Sequence, residues 1–579
     1  MLLASLILAP LATALLIAIA PERLAKHIAA MGSLVALALT AAAMNAFDWA
    51  APGLHQFASS YPLIDTLGIR LSIGVDSVAL WLIALTGFLG PLCVYGSFTA
   101  IDTRRKTFYA SLLALQGVMV GVFAARDLLL FYICFEFTLL PMYVLINLFG
   151  STNRHAAAIK FFLYTFTGSI ITLAALVWVA AQAAAGRDGL WSFDIGMLQS
   201  FAAASLSPSE QAWVLLAMMC GFAVKVPLFP VHTWLPLAHT EAPTAGSVIL
   251  AGVLLKLGTY AMFRFVLPFV PEAVVEYAPF IGVLSIVGIL YGGLICWVQR
   301  DVKKLVAYSS VAHLGFCVLG LFALNTVGAA GSILYMINHG LSTGALFFCI
   351  GFMYERYHTR SLDEVGGLAS KMPVWAFFMV FFTMASVGLP GLNGFISEFM
   401  CLMGTFQSGA ASSGAVGIGA APGVFGPWYA AVAGVGMIVA AMYLLYMVGK
   451  IVFGPLKEPH GHGHGGGHGG GHGHDDKDDH AHGTLPADLT FREISVLTPL
   501  AVACVVLGLF PTPVIRTLEN PINLTLKPAQ NVLVERGRVD LRKTLSAESG
   551  SVGSPSRLAE STPTPESATT TPVNEGAAQ

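Results

Sequence analysis

Charged residues are scarce in this sequence. Asp, Glu, Lys and Arg make up 11% of its 579 residues, whereas about 25% is usual in a soluble protein. Hydrophobic residues make up 56%, and the mean hydropathy is +0.74. Apolar stretches recur from Met1 to Phe510, each of about 20 residues, the length that an α-helix needs to cross a bilayer. The composition therefore excludes an ordinary soluble domain and predicts an all-α polytopic membrane protein.

Patterns that mark other kinds of protein are also missing. The apolar stretches do not alternate apolar and polar residues over about 10 positions, as the strands of outer-membrane barrels do. The eight cysteines lie in separate apolar runs without any CxxC pair, whereas iron–sulfur clusters and c-type haem need closely spaced cysteines. No glycine fingerprint precedes a βαβ unit, and the net charge of -2 gives no sign of a nucleic-acid partner. We expect no redox cofactor in this chain.

Fourteen apolar segments are predicted to cross the membrane. Their approximate bounds are 1–20, 27–46, 75–99, 107–125, 128–149, 158–184, 211–229, 243–267, 276–298, 304–324, 328–353, 374–407, 427–452 and 491–514. No basic segment precedes the first apolar run, so we expect it to be a membrane span and not a cleaved signal peptide.

The distribution of Lys and Arg predicts the orientation of these spans. Most of the basic residues outside the C-terminal tail follow odd-numbered spans, whereas only Arg70, Arg126, Arg187 and Arg264 are assigned to loops after even-numbered spans. Loops that stay in the cytoplasm carry the excess of basic residues. The odd-numbered loops are therefore expected on the cytoplasmic or matrix-like side, and both termini on the opposite side.

Four ionisable residues fall well inside predicted spans: Glu136 in span five, Lys225 in span seven, Lys256 in span eight and Glu398 in span twelve. A charge at the bilayer centre costs several kcal/mol, so such residues persist mainly where a function or a partner retains them. The alternatives are a side chain that reaches the membrane surface near a helix end and a structural ion pair. Apolar residues on both sides of Glu136 and Lys225 disfavour the first alternative, and an ion pair between these two is compatible with function.

Histidines add groups that can exchange protons near neutral pH. His313 and His339 lie inside spans ten and eleven, between the segments that carry Lys256 and Glu398. A lone histidine in a helix is often only a satisfied polar group, but this position makes a proton relay the preferred interpretation. His232 and His239, near the prolines that follow Lys225, are secondary candidates.

Two of the predicted spans contain their own interruptions. Pro227, Pro230 and Pro236 break span seven after Lys225, and the sequence SVGLPGLNG at 386–394 breaks span twelve before Glu398. Proline removes a backbone donor, and non-helical backbone at membrane depth is tolerated only where protein or a water-filled cavity covers it. Paired interruptions of this kind indicate inverted repeats with an ion site near the midplane.

These features predict two inverted five-helix repeats, in which helices 7 and 12 are discontinuous. Because five is odd, the second repeat must enter the membrane from the opposite side. The predicted segments are helices 1–3 at 1–106, the first repeat (helices 4–8) at 107–267, the second repeat (helices 9–13) at 268–453, a His/Gly/Asp-rich cytoplasmic loop at 454–490, helix 14 at 491–514 and a polar, partly disordered tail at 515–579.

Three motifs, of which the first is long and specific, carry a resemblance to a known family. The sequences KVPLFPVHTWLPLAHTEAPTAGSVILAGVLLKLGTYAMFR, SSVAHLGF and GLPGLNGFISEF resemble the antiporter-like membrane subunits of respiratory complex I, and the match covers about residues 70–455. That family has fourteen helices in two inverted repeats, as predicted above. A glutamate at position 398 is similar to the M-type (chain 4) branch, whereas the L and N chains have lysine there.

The resemblance implies proton translocation coupled to NADH oxidation and quinone reduction in other subunits. It makes Glu136 and Lys225 a coupled input pair, Lys256 the central relay, His313 and His339 its continuation, and Glu398 the exit-side group. It also implies L-like and N-like neighbouring chains, FMN, iron–sulfur clusters and quinone in partner subunits, and a bacterial inner membrane with both termini in the periplasm.

Alternative interpretations remain at this point. The same helices would serve a subunit of a multi-subunit Na⁺/H⁺ antiporter or of a proton-pumping membrane hydrogenase, and a purely structural role is the simplest alternative. The segment from His460 to His482 departs from the family pattern and holds eight of the sixteen histidines. It could bind Zn²⁺ or Ni²⁺, but nothing fixes a geometry, so a solvated loop without a metal site is predicted.

Overall fold

Most of the chain folds into helices that follow the predicted apolar segments. The structure is a computed structural model and describes residues 1–409, 423–459 and 488–551. Met1–Val534 forms one compact unit, and the chain from Glu535 belongs to a second.

In chain order, the main helices are α1 Leu2–Ile19, α2 Ala25–Ala46, α3 Ser77–Gly96, α4 Arg105–Ala124, α5 Leu128–Phe149, α6 Arg154–Ala185, α7 Ile195–Ser205, α8 Pro208–Lys225, α9 Leu235–Glu241, α10 Thr244–Phe269, α11 Pro271–Trp297, α12 Val302–Phe322, α13 Thr326–Tyr357, α14 Pro373–Val387, α15 Asn393–Gln407, α16 Pro427–Ile451, α17 Phe491–Leu509 and α18 Thr512–Ser551. The described part of the chain also contains two strands, β1 Gln56–Ile64 and β2 Ile69–Val75.

Within the described residues, twelve helices are long and apolar enough to cross a membrane. Each coincides with a predicted span, and the two predicted spans without such a helix are the interrupted ones. In the first, α8 ends at Lys225 and α9 begins only at Leu235. In the second, α14 ends at Val387 and α15 begins at Asn393. The interruptions therefore lie beside Lys225 and Glu398, as the sequence predicts.

Polar contacts satisfy the backbone at both interruptions. At the first, the Trp234 indole donates a hydrogen bond of 2.9 Å to the carbonyl of Val224, one of the carbonyls that a helix end leaves without a partner. At the second, Gly388 adopts a left-handed conformation with a φ of 84°. The Asn338 amide donates to the Asn393 carbonyl at 2.6 Å, and the Asn393 amide donates to the Asn338 carbonyl at 3.1 Å.

The central helices are almost completely enclosed by protein. In the most apolar 18-residue stretch of each helix, 100% of the residues are buried in α10 and α13 and 94% in α12, whereas 22% are buried in α1. Helix α13 packs against α10, α12 and α15. Polar side chains on these helices consequently face other protein groups and not lipid.

The loops fall into two groups, one at each end of the helices. Loops after odd-numbered spans are joined by the hydrogen bonds of Arg105 N to Glu22 Oε1, Ser151 N to Glu241 O and Val302 N to Arg360 O, each 3.0 Å long. Loops after even-numbered spans are joined by Arg126 N to Ser72 O (2.9 Å) and Ile195 N to Arg126 O (3.0 Å). This grouping is expected if successive spans cross in opposite directions. Arg264, assigned to a loop from sequence, lies within α10 and pairs with the buried Asp76.

A β-hairpin departs from the expected all-α fold. Strands β1 and β2 pair antiparallel, with Tyr61 opposite Leu71, and Gly68 in the connection has a φ of 62°. The segment was missed because apolar length was the criterion, whereas short strands are marked by alternation and by turn glycines. Tyr61 and Leu63 are both 60% exposed, so this hairpin is only partly covered.

The segment predicted as a polar tail from residue 515 begins as a helix. Up to Val534, α18 buries one side through Val514, Leu518, Ile522, Leu526, Ala529 and Val532. This spacing of three and four residues is that of an amphipathic helix, which a search for apolar runs overlooks. Ser77 donates to the Thr517 carbonyl at 2.6 Å, so α18 meets the end of the bundle where the even-numbered loops lie. Helix α18 continues to Ser551, within the tail that was predicted to be partly disordered; residues 552–579 and the segment from His460 to His482 lie outside the described residues.

Candidate functional site

Lys256 and His339 meet in the centre of the protein. The Lys256 amine lies 2.7 Å from Nδ1 of His339 and also donates to the Ala251 carbonyl. Lys256 is 0% exposed and His339 is 1% exposed. Helix α10 widens into a π-helical turn at Leu250–Leu254, just before the lysine. Such turns change which carbonyls are free to accept a hydrogen bond and are frequent at functional sites.

His313 and Glu398 form a second contact next to the first. Nδ1 of His313 lies 3.1 Å from Oε1 of Glu398, and both side chains are buried. The Tyr335 hydroxyl contacts both of them, donating to Glu398. The rings of His313 and His339 are 5.6 Å apart between centroids. The structure therefore brings Lys256, His339, His313 and Glu398 into one buried row, here called the central row.

Tyr335 belongs to this row and was not among the sequence candidates. It precedes His339 by four residues on α13, a spacing that places two side chains on the same face of a helix. That spacing could have indicated it, but tyrosine is common in membrane helices and carries no charge that would draw attention. His313 and His339 each keep Nε2 without a hydrogen-bond partner among the described residues, so each ring has a second nitrogen for proton exchange.

Lys225 and Glu136 lie near each other in the first half of the chain. The Lys225 amine donates to the Thr138 hydroxyl at 3.1 Å and lies 4.7 Å from the centre of the Phe135 ring. Its charge acts on the Glu136 carboxylate, but the described residues hold no ion pair within 4.0 Å between the two. Lys225 is therefore held by the residues on either side of Glu136.

The two groups are separate. Helix α8 packs against α10, yet no hydrogen bond or ion pair of the described residues links Lys225 with Lys256. His239 lies close to the central row: it is 0% exposed, stacks on Phe347 at 4.7 Å, and lies within electrostatic range of Lys256. His232 lies elsewhere, packed against Phe229 and Tyr291 at 5.8 and 5.6 Å.

A metal site requires several His, Cys, Asp or Glu side chains grouped around one point. In residues 1–409, 423–459 and 488–551, no three or more His, Cys, Asp or Glu side chains are grouped to hold a metal ion. The buried groups of the central row can instead accept and release protons, since amine, imidazole, phenol and carboxyl groups all do so.

Comparison with known proteins decides the family. Residues 125–421 match the family described as NADH:quinone oxidoreductase/Mrp antiporter, transmembrane. NADH-quinone oxidoreductase subunit M of Rhodobacter capsulatus is 39% identical over 515 residues, which cover 87% of this chain and 92% of that protein. This chain belongs to the NADH:quinone oxidoreductase/Mrp antiporter family. The resemblance predicted from the three motifs is thereby confirmed.

Other members of the family agree over nearly the whole length. NADH-ubiquinone oxidoreductase chain 4 of Marchantia polymorpha is 35% identical over 547 residues, covering 93% of this chain and 98% of that one. A chain of respiratory complex I from Thermus thermophilus matches with a TM-score of 0.76 and 26% identity, over 91% of this chain and all of that one. A chain of the Mrp complex from Dietzia sp. has a TM-score of 0.73 at 22% identity, over 92% and 99% of the two chains, which shows a shared fold alone.

Proposed function

We propose that this chain is the proton-translocating M-type (chain 4) membrane subunit of an NADH-quinone oxidoreductase. The observation that carries the proposal is the central row, in which an amine, two imidazoles, a phenol and a carboxyl group stand in contact inside the protein. Unpaired ionisable groups would be costly there. Relatives that bear the name of this subunit match 74% to 93% of the chain at 35% to 39% identity.

The central row suggests how a proton crosses the protein. A proton on Lys256 passes to Nδ1 of His339 at 2.7 Å, and from the imidazole pair to Glu398, with the Tyr335 hydroxyl between His313 and the carboxylate. Only N–H and O–H bonds break and form. Glu136 and Lys225 act upstream as the input pair, and a change in the charge of either alters the proton affinity of the other through their Coulombic interaction.

The electron-transfer chemistry belongs to other chains in this proposal. FMN, the iron–sulfur clusters and quinone are assigned to partner subunits, and L-like and N-like chains are the neighbours in the membrane. The loops after odd-numbered spans face the cytoplasm of a bacterium and both termini face the periplasm, because the basic residues concentrate in the odd-numbered loops.

The proposal includes fourteen membrane helices arranged in two inverted repeats. Twelve long apolar helices and two interrupted segments support this number. Each interrupted segment is the fourth of its set of five, and each has a buried ionisable residue at the interruption, Lys225 in one and Glu398 in the other. This correspondence is the arrangement that inverted repeats produce.

Membrane vesicles that contain the assembled complex provide the test. We expect Lys225→Ala and Lys256→Ala to lower the proton gradient formed per NADH oxidised, while NADH oxidation with a water-soluble acceptor shows that the complex is intact. Lys304→Ala is the control, since Lys304 lies near the end of α12 away from the central row. If both variants pump normally while quinone is reduced, the proposal is wrong. If sodium gradients move protons without NADH, an antiporter subunit is the better description.

A further inference from the structure

A cavity reaches into the protein from the end where the odd-numbered loops lie. Its volume is about 1080 Å³. His358 and Lys371 at its rim are exposed, whereas Glu241, Lys303 and Ile350 at its floor are buried. One water molecule occupies about 30 Å³ of the liquid, so a polar cavity of this size accommodates many water molecules. We call it the entrance cavity.

Lys303 closes the floor of the entrance cavity. Its amine donates to the Ala242 carbonyl at 2.5 Å, and the side chain is 7% exposed. The charged groups that face it are the carboxylates of Asp301 and Glu241 and the guanidinium of Arg360. Lys303 directly precedes the predicted span 304–324 and stands beside other charged residues, so its sequence context does not indicate that it is buried.

His239 lies on the inner side of this floor. It shares the short helix α9 with Glu241. Neither of its ring nitrogens has a hydrogen-bond partner among the described residues, although the ring is 0% exposed. The charges of Lys303 and of Lys256 both act on it. His239 therefore lies within electrostatic range both of a lysine at the cavity and of a lysine in the central row.

We propose that the entrance cavity admits protons from the face rich in basic residues and that Lys303 is the proton-transfer residue that passes them to His239 and on to Lys256. This inference rests on the proposed function. In each cycle, the Lys303 ammonium gives one proton to a nitrogen of His239, and the resulting amine takes up one proton that the bulk solution supplies through the water of the cavity. The imidazolium of His239 then releases its proton towards Lys256.

Three cations at this cavity are already paired with carboxylates. Lys371 pairs with Glu458 at 2.6 Å, Arg360 pairs with Asp301 at 3.3 Å, and Arg356 pairs with Glu493 at 2.8 Å. Since each of these cations already has a carboxylate partner, a bound anion would have to displace one. Balanced charge and open volume suit water and protons better than a charged ligand.

Substitution of Lys303 separates proton transfer from a structural role. Lys303→Arg retains a donor for the Ala242 carbonyl and a positive charge, but arginine does not release its proton in proteins. We expect Lys303→Arg and Lys303→Met both to lower the proton-pumping rate of the assembled complex about tenfold or more, as for the loss of an acid–base group. Lys304→Ala should pump normally. If Lys303→Arg pumps at the normal rate, the inference is overturned.

The comparison with Lys256→Ala shows which proposal has failed. If Lys256→Ala abolishes pumping while both Lys303 variants pump normally, the entrance assigned to Lys303 is wrong and the proposed function stands. If neither position affects pumping, the proposed function fails first. If Lys303→Met does not assemble, Lys303→Arg alone decides the matter.

Access to the cavity can be measured without pumping. Thr244 lines the cavity and is half-buried, and Thr244→Cys is nearly isosteric. A small, membrane-impermeant thiol reagent should label this cysteine from the face with the basic loops and should block pumping, whereas the unaltered protein should not be labelled. Labelling only from the opposite face would contradict the inference.

Discussion

Glu398 is the residue at which the central row is most densely connected. Its Oε1 accepts a hydrogen bond from the Tyr335 hydroxyl and lies 3.1 Å from Nδ1 of His313. A hydrogen bond to a charged group contributes about 1.5–3 kcal/mol, so these contacts hold the carboxyl group in place. Oε2 has no hydrogen-bond partner among the described residues and remains free to exchange a proton.

Tyr335→Phe tests the contribution of the hydroxyl group alone. The ring and its packing remain, and only the hydroxyl that contacts both His313 and Glu398 is lost. We expect a several-fold lower rate of proton pumping at unchanged NADH oxidation with a water-soluble acceptor. The exposed Tyr95, which is 38% exposed, supplies the control substitution Tyr95→Phe. Equal pumping by the two variants would show that the hydroxyl has no part in proton transfer.

The sequence predicts some residues of the proposed proton path better than others. Lys256 and Glu398 could be found because a charged residue among apolar neighbours is costly and therefore conspicuous. Tyr335 and Lys303 could not be found in this way, since one is uncharged and the other lies beside charged loop residues. Which pairs are in contact also depends on helix rotation and packing, which a single sequence does not specify. In the described residues, for example, Lys225 donates a hydrogen bond to Thr138 and does not form an ion pair with Glu136.

At the scale of elements, the second interruption positions Glu398. Gly388 has a φ of 84°, and a Cβ at this position would lie 2.9 Å from Oε2 of Glu398. Gly391, three residues later, has a φ of 95° and no atom within 4 Å of such a Cβ. The two glycines share a backbone conformation that L-residues avoid but differ in whether a methyl group would reach the carboxylate.

We therefore expect Gly388→Ala to impair proton pumping much more than Gly391→Ala. Both substitutions add similar backbone strain, about 1–2 kcal/mol, so both should lower thermal stability to a comparable extent. Only Gly388→Ala pushes the Glu398 carboxylate out of its contacts. Pumping rates and melting temperatures of the assembled complex should be measured for the pair. Equal loss of pumping in both variants would mean that strain in the loop is responsible and not contact with Glu398.

The first interruption depends on a side-chain donor. Trp234→Phe removes the indole N–H that satisfies the Val224 carbonyl, and a buried acceptor without a partner costs about 1–3 kcal/mol. We expect a lower melting temperature of the solubilised complex. The control is Trp213→Phe on α8, where Trp213 is 72% exposed and its loss should change stability little. An unchanged melting temperature for Trp234→Phe would show that another donor replaces the indole.

Proline and glycine residues predicted where these helices are interrupted, but not which side chains satisfy the free backbone groups there. The prolines after Lys225 and the glycines after Val387 exclude a continuous helix locally. The side chains that donate to these groups are Trp234, which lies later in the first interrupted segment, and Asn338, which lies on helix α13. The hairpin β1–β2 and the helix α18 escaped prediction for a related reason, because their patterns are amphipathic and only uninterrupted apolar length was considered.

At the scale of the whole molecule, the two groups of loops define two faces, and the orientation proposed for these faces in the membrane rests on the basic residues. Arg187 lies in the exposed loop between α6 and α7, at the end of the molecule that also holds α18. Arg300 is 87% exposed at the opposite end, between α11 and α12. A cysteine at each position reports which compartment the face meets. The eight native cysteines are buried or only partly exposed, so they should give a low background.

We expect Arg187→Cys to react with a membrane-impermeant thiol reagent in right-side-out vesicles and Arg300→Cys to react in inverted vesicles. The physical reason is that basic loops are retained on the cytoplasmic side during insertion, and that an odd number of crossings separates the two positions in the proposed arrangement. Detergent solubilisation should make both cysteines reactive, which controls for local burial. Labelling of both cysteines from one side would contradict the fourteen-helix arrangement. The reverse pattern would be compatible with the fold but would invert the direction of proton transfer proposed for the entrance cavity.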